Sequence, residues 1–559
     1  MVFEAQADEP VAPRRRSHVA PRLALDTRRA TWLYWGGVAL VVGSLFVTKL
    51  LPCVDYPQHL ALSDIARRLA NPMAPEASEY TLNYFTYNGL FHILVARLSI
   101  LVPIELAGRL VLAASLVAMG GAVLALVRTL GRPTVHASLF TPILFSFSVG
   151  WGFVNYVLAT AIAAWTLVVV ARVAMRPTAL AVAAVAALGF LCAVAHVLAM
   201  LILCVAASAL GLEMAWRASR VSPSDRMAIR VLRTALRTVL AVGPLLIGCA
   251  YCIAVYRTQY GWDPKMYRDP TMEGTSAPPW EKVIWFGAFA TGLFGDATDQ
   301  IVLWAAIATM GYSAFRAWKE RRAGIVVSES PAPVRLPFVA LTLAYFATPM
   351  VLVGTHLIFP RLAQWAVLGA VLAMPRFPVE LAARAHRWMA GLGIAAGANT
   401  LLHCALFSWE TNDASRLIDD LPSGRSVTAV IWEPTTRAFR NGTLTHLAAY
   451  YAARKSGQWA FSFARYLSVP VRFKENVQPA WPARGWEFDA EEYDPRCKYA
   501  RAFPLVIVRA PPELAEDASG ERSVRKLVFH GDADSVTLLS HHGRFWAFDT
   551  TGLPVDGAL

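Results

Sequence analysis

The chain has 559 residues, of which 56% are hydrophobic and 16% charged, with a net charge of +13 and a mean hydropathy of +0.42. Soluble chains carry about 25% charged residues, so this composition excludes a water-soluble globular protein and points to a polytopic membrane protein. The positive charge lies in short loops between apolar spans, a distribution that reads as membrane topology and argues against a nucleic-acid partner.

Residues 1–30 form a polar, basic tail with Arg14, Arg15, Arg16, Arg22, Arg28 and Arg29. The next span, Trp32 to Leu51, is too long for a signal-peptide core and no small-residue cleavage site follows it. It reads as an uncleaved signal anchor behind a cytoplasmic tail. Just beyond it, Pro52-Cys53-Val54-Asp55-Tyr56-Pro57-Gln58-His59 puts a carboxylate and an imidazole at the outer mouth of a membrane helix. An ionisable pair held at such a boundary is a candidate functional site.

Pro57 suits the first turn of a helix, and Leu60, Leu62, Ile65, Ala66 and Leu69 give it an apolar face up to Asn71-Pro72. Asp64 with Arg67 and Arg68 reads as an ion-paired helix face. A second loop helix, Leu90 to Leu101, follows the aromatic entrance Asn83-Tyr84-Phe85-Thr86-Tyr87-Asn88.

Apolar stretches then fall at 106–128, 136–150, 151–172, 178–195, 196–215, 238–256, 300–318, 336–355, 362–375 and 388–408. With the first span they make about eleven membrane helices. Basic groups at Arg128 and Arg132, Arg172 and Arg176, Arg217 to Arg237, Lys319 to Arg322, and Arg376 to Arg387 all fall on the side of the tail. By the positive-inside rule that side is cytoplasmic, which places the loops 52–105 and 257–299 and everything from residue 410 onward outside. The loop 257–299, ~40 residues rich in Trp, Tyr and Pro, has the length of a lid or binding element.

Residues 410–559 change character. Strand-like runs at Val427 to Trp432, Leu505 to Val508, Val524 to Phe529 and Phe545 to Phe548, with a helical run Thr443 to Ala453, predict a mixed α/β domain outside the membrane. Five of the seven cysteines lie in apolar spans as small hydrophobes; Cys53 and Cys497 both fall outside, where a disulfide between them is open.

Asp55 has the chemistry of a general base that takes a proton from an attacking hydroxyl or amine, with His59 sharing or orienting that proton. On spacing alone Asp55 also fits the cap of the helix opening at Pro57. Arg361, in His356-Leu-Ile-Phe-Pro-Arg361, opens a span at its outer end, where a guanidinium either grips a lipid phosphate or snorkels to the headgroups. His356 stands ready to assist it. His196 and Asn155 either line a cavity or pack helices, and Tyr87 joins them as a candidate substrate-binding residue. His92 reads as an interfacial residue. No metal-ligand spacing, P-loop or dinucleotide fingerprint occurs, so no cofactor is expected; a divalent metal has no support in the spacing.

The order of a first span, an acid in Val54-Asp55-Tyr56-Pro57-Gln58-His59-Leu60-Ala61, two loop helices and a return span opened by Gly108-Arg109-Leu110 resembles the GT-C superfamily of integral-membrane glycosyltransferases. The segment Tyr84 to Leu90 resembles the aromatic entrance of several such families. Asp55 with Pro57 and His59, and a late-span Arg361, is similar to a bacterial branch of that superfamily. The resemblance covers roughly residues 30–410 and implies an enzyme of the bacterial cytoplasmic (inner) membrane. Such an enzyme would transfer a sugar from a polyprenyl-phosphate-linked donor to an extracytoplasmic glycan, lipid or protein, with Asp55 as base and Arg361 on the donor phosphate. Many members pair two acids in the first loop, where this chain has Asp55 and His59. The rivals are a transporter or flippase of lipid-linked glycans and a non-catalytic envelope assembly protein. The first expects mid-span acids and pseudo-symmetric halves, neither of which is visible, and the second needs only one anchoring helix.

Overall fold

The computed structural model describes residues 26–219, 227–260, 276–323, 333–351, 356–477, 485–514 and 518–553. Helix α1, Thr27–Ser44, opens on Asp26, whose carboxylate accepts the Arg29 N–H at 2.6 Å. The first loop holds α2, Tyr56–Arg68, and α3, Leu90–Leu98, before α4, Ile104–Thr129, re-enters the bundle. Helices Val154–Met175, Ala179–Ala195, Val197–Ala218, Met227–Val242 with Leu246–Tyr260, Thr298–Arg322, Leu336–Ala347, Ala363–Ala373 and Val379–Glu410 complete the membrane part. Five of these helical segments are long and apolar enough to cross a membrane by length and composition; with the shorter apolar helices, α1 and Thr298–Arg322, they occupy the predicted spans.

Packing in this bundle relies on close backbone approach, the usual substitute for hydrophobic driving force in lipid. The contact of α1 with Val379–Glu410 shows it: a Cβ on Gly37 would meet the Gly393 carbonyl oxygen at 2.7 Å. At the end of the bundle remote from Asp55, Arg132 bonds the Met374 carbonyl and Arg376 the Gly131 carbonyl, which joins two of the basic loops.

Several expectations need correction. The stretch 136–150 is not one helix but a 3-10 segment, Thr134–Phe140, followed by the short helices Thr141–Leu144 and Phe147–Gly150. All of it is buried in protein, the condition under which broken backbone survives at membrane depth. The helix expected over 336–355 stops at Ala347, two residues before Pro349, because a residue ahead of proline leaves the helical region. Val524–Phe529 is helix, not strand: it ends Ala518–Phe529, with Val524 and Val528 one turn apart on the buried side. All seven cysteines are free, so Cys53 and Cys497 form no disulfide. Residues 261–275 of the expected lid lie outside the described residues.

The C-terminal domain is a four-stranded mixed sheet in the order β2-β4-β6-β5, from β2 Val427–Ile431, β4 Leu505–Arg509, β5 Thr537–His542 and β6 Phe545–Asp549. β2 and β4 run parallel, Val427 opposite Leu505, and are buried along their whole length. This domain is stitched to the first loop. β1, Tyr80–Leu82 of the loop, pairs antiparallel with β3, Val471–Phe473 of the domain. Helix Leu447–Lys455 lies against α2, and Arg454 pairs with Glu105 at the start of α4.

Candidate active site

The site begins with backbone. Val54 N–H donates to the Gly150 carbonyl and Asp55 N–H to that of Trp151, both at 3.0 Å, so the turn at 150–152 holds the chain as it enters α2. Gly152 makes this approach feasible. Its φ is +77°, and a Cβ there would stand 2.5 Å from Tyr56 N and 2.6 Å from Asp55 N.

Asp55 occupies the cap position of α2, yet its side chain makes no capping bond. Its Oδ1 instead lies 3.3 Å from Nε2 of His446, and Nδ1 of His446 lies 2.5 Å from Oε1 of Glu487. An imidazole donates to an ionised carboxylate at each nitrogen only as the cation. Burial opposes that charge, but Glu487 and Asp55 more than offset it and push His446 up to about 10. Burial raises the Glu487 carboxyl, with His446 pulling against it. Gln58, fully buried one turn into α2, locks the domain in place: it donates to the Phe461 carbonyl at 3.1 Å and accepts from Trp459 Nε1 at 2.7 Å and Phe463 N at 3.2 Å.

His59 is in the opposite charge state. Ser63 donates its hydroxyl hydrogen to the His59 carbonyl at 2.7 Å, so its oxygen accepts from His92 Nδ1 at 3.2 Å. His92 Nε2 is therefore the acceptor for His59 Nδ1–H, also at 3.2 Å. The relay leaves His59 Nε2 with its lone pair. Burial, opposed by Asp55 and reinforced by His446 and Arg361, lowers His59 to about 4, and burial lowers His92 well below the usual range. His92 is thus no interfacial bystander but the residue that sets the His59 tautomer.

Arg361 sits in the 3-10 turn Phe359–Leu362 and is 7% exposed, too enclosed to snorkel. Its guanidinium lies over the Phe153 ring at 3.7 Å, and its own carbonyl accepts from Tyr156 at 2.8 Å. His196 caps its helix by accepting Leu198 N–H on Nδ1 at 3.1 Å, so the neutral ring carries its hydrogen on Nε2. That nitrogen is 3.4 Å from Arg361 Nη1. Two donors converging on one place call for an acceptor between them, and a phosphate has the right chemistry. Nearby Asn155 accepts Phe91 N–H at 3.2 Å, while its Nδ2 is buried without a hydrogen-bond partner. Arg361 interacts electrostatically with both Asp55 and His59, and His59 with His196.

The fold therefore gathers Asp55, His59, His196 and Arg361 into one neighbourhood. His356 contributes differently from the expectation: its ring is exposed, and its carbonyl accepts from Arg361 Nη2 at 3.2 Å. Tyr87 is half-buried at the entrance to α3, where Thr86 bonds the Ser468 carbonyl of the outer domain. Among the described residues no group of three or more His, Cys, Asp or Glu is arranged to hold a metal ion. His446 and Glu487 escaped the sequence reading because no spacing links them to Asp55; the one signal was an imidazole inside the predicted helical run 443–453.

No protein-family model matches the chain, and no curated protein matches it. Among solved structures it is similar to ArnT from Cupriavidus metallidurans bound to undecaprenyl phosphate, with a TM-score of 0.50 and 11% identity over 96% of this chain and 100% of that one. The apo state of the same protein gives 0.49 and 13% over 94% and 98%. This chain has the fold of that ArnT structure.

Proposed function

We propose that this protein transfers a sugar from a polyprenyl-phosphate-linked donor to an acceptor on the outer face of the bacterial cytoplasmic membrane, with its N-terminus cytoplasmic and its sheet domain outside. The observation that carries the reading is the shared neighbourhood of the Asp55 carboxylate with the converging Arg361 and His196 donors. The likeness to ArnT, whose structure holds undecaprenyl phosphate, supports that class of lipid.

In this mechanism Arg361 and the Nε2–H of His196 bind the donor phosphate and stabilise the charge it gains on leaving. Asp55 takes the proton of an acceptor hydroxyl as its oxygen bonds to the anomeric carbon. The bond from that carbon to the phosphate oxygen breaks, its electron pair leaves with the polyprenyl phosphate, and the configuration inverts. Neutral His59 offers its Nε2 lone pair as a hydrogen-bond acceptor that orients the incoming hydroxyl.

Mass spectrometry of envelope glycans and glycolipids from the native host tests this reading. Wild type, a deletion strain and an Asp55→Asn strain with confirmed membrane expression are compared. Loss of the same sugar mass in deletion and point mutant is the expected result. An Asp55→Asn strain with the wild-type profile would overturn it.

A further inference from the structure

Three elements from distant parts of the chain meet at Asp55: the start of α2, the segment carrying His446 and the segment carrying Glu487. His446 is 4% exposed and holds a carboxylate at each nitrogen. With both nitrogens protonated it has no site for another proton, so it is not the base. Its contact engages Oδ1 of Asp55.

We propose that His446, supplied by the outer domain, is a positioning residue whose imidazolium aims the Asp55 carboxylate, with Glu487 fixing that imidazolium from its other nitrogen, so that this domain completes the reaction centre. The role in catalysis rests on the transfer reading above; the electrostatics do not. Glu487 fixes the imidazolium, and the imidazolium fixes Asp55. The charged and titratable groups facing this pair are Glu487, His59, Arg361 and Tyr466. Arg361 attracts the Asp55 carboxylate, Glu487 repels it, and His446 is the cation in direct contact. Domain docking follows the same logic, since Gln58 on α2 and the β1–β3 pairing hold the domain in register with the carboxylate.

The test uses purified full-length protein and needs no sugar donor. Dicyclohexylcarbodiimide labels protonated carboxyls, and mass spectrometry of the peptide carrying Asp55 gives a labelling midpoint against pH. Loss of the contacting cation in His446→Gln is expected to raise that midpoint by about one pH unit or more. Glu487→Gln is expected to leave it unchanged or lower, because His446 remains protonated at acid pH while an opposing negative charge is gone. A merely structural role would move both variants in the same direction through loosening. Equal upward shifts in both variants, or an unmoved midpoint in His446→Gln, would overturn the proposal. Should His446→Gln fail to reach the membrane, an upward shift in Glu487→Gln overturns it alone. If labelling behaves as expected while the host strains show no missing sugar, the transfer reading fails and the electrostatic pairing stands.

Discussion

Asp55 Oδ1 stands 3.3 Å from Nε2 of His446, a contact between the first outer loop and the C-terminal domain. Close by, His59 is held neutral while His446 is held charged, so two imidazoles in opposite states flank one carboxylate. The pair gives stability a two-sided pH dependence. His59 is depressed from 6.5 to about 4, so its contribution, about 3 kcal/mol, is complete above pH 6.5 and lost as the pH falls through 4. His446 is raised from 6.5 to about 10, so its contribution is complete below pH 6.5 and lost as the pH rises through 10. Thermal unfolding in detergent should therefore peak near pH 6.5, and His446→Gln should flatten the alkaline side only.

Gly152→Ala puts a side chain against the backbone of Asp55 and Tyr56 in a positive-φ position. The strain is worth about 1–3 kcal/mol. Because the turn can relieve it only by moving the residues that hold Asp55, transfer should fall more steeply than thermal stability. Parallel rate and melting measurements on membranes and purified protein check this.

Arg361→Lys keeps the charge but loses the planar fork and the stacking on Phe153. Affinity for undecaprenyl phosphate, followed by native mass spectrometry, should drop about tenfold, the cost of one charge-assisted hydrogen bond. His356→Ala, which leaves the carbonyl that Arg361 uses, should bind as wild type.

Gln58→Leu would strip partners from the buried Trp459 Nε1, the Phe461 carbonyl and Phe463 N. Unsatisfied buried groups cost about 1–3 kcal/mol each. The outer domain should then become sensitive to limited proteolysis while the membrane helices stay protected.

Hydropathy determined most of the membrane architecture, because lipid forces each crossing segment to satisfy its backbone within a helix and so to write its length into the sequence. Asp55, His59 and Arg361 were legible for a related reason: charged groups beside apolar spans stand out against their surroundings. Legibility failed where structure depends on what a segment touches. The 136–150 stretch is as apolar as a helix, and only its enclosure by neighbours permits the break; Val524–Phe529 has strand composition but a helical burial pattern. His92 showed only as an interfacial imidazole, His446 only as an imidazole inside a helical run, and Glu487 carried no local signal. Their roles arise from bonds between segments remote in sequence, and a charge state set by burial and by partners across a domain boundary exists only once those segments are packed together.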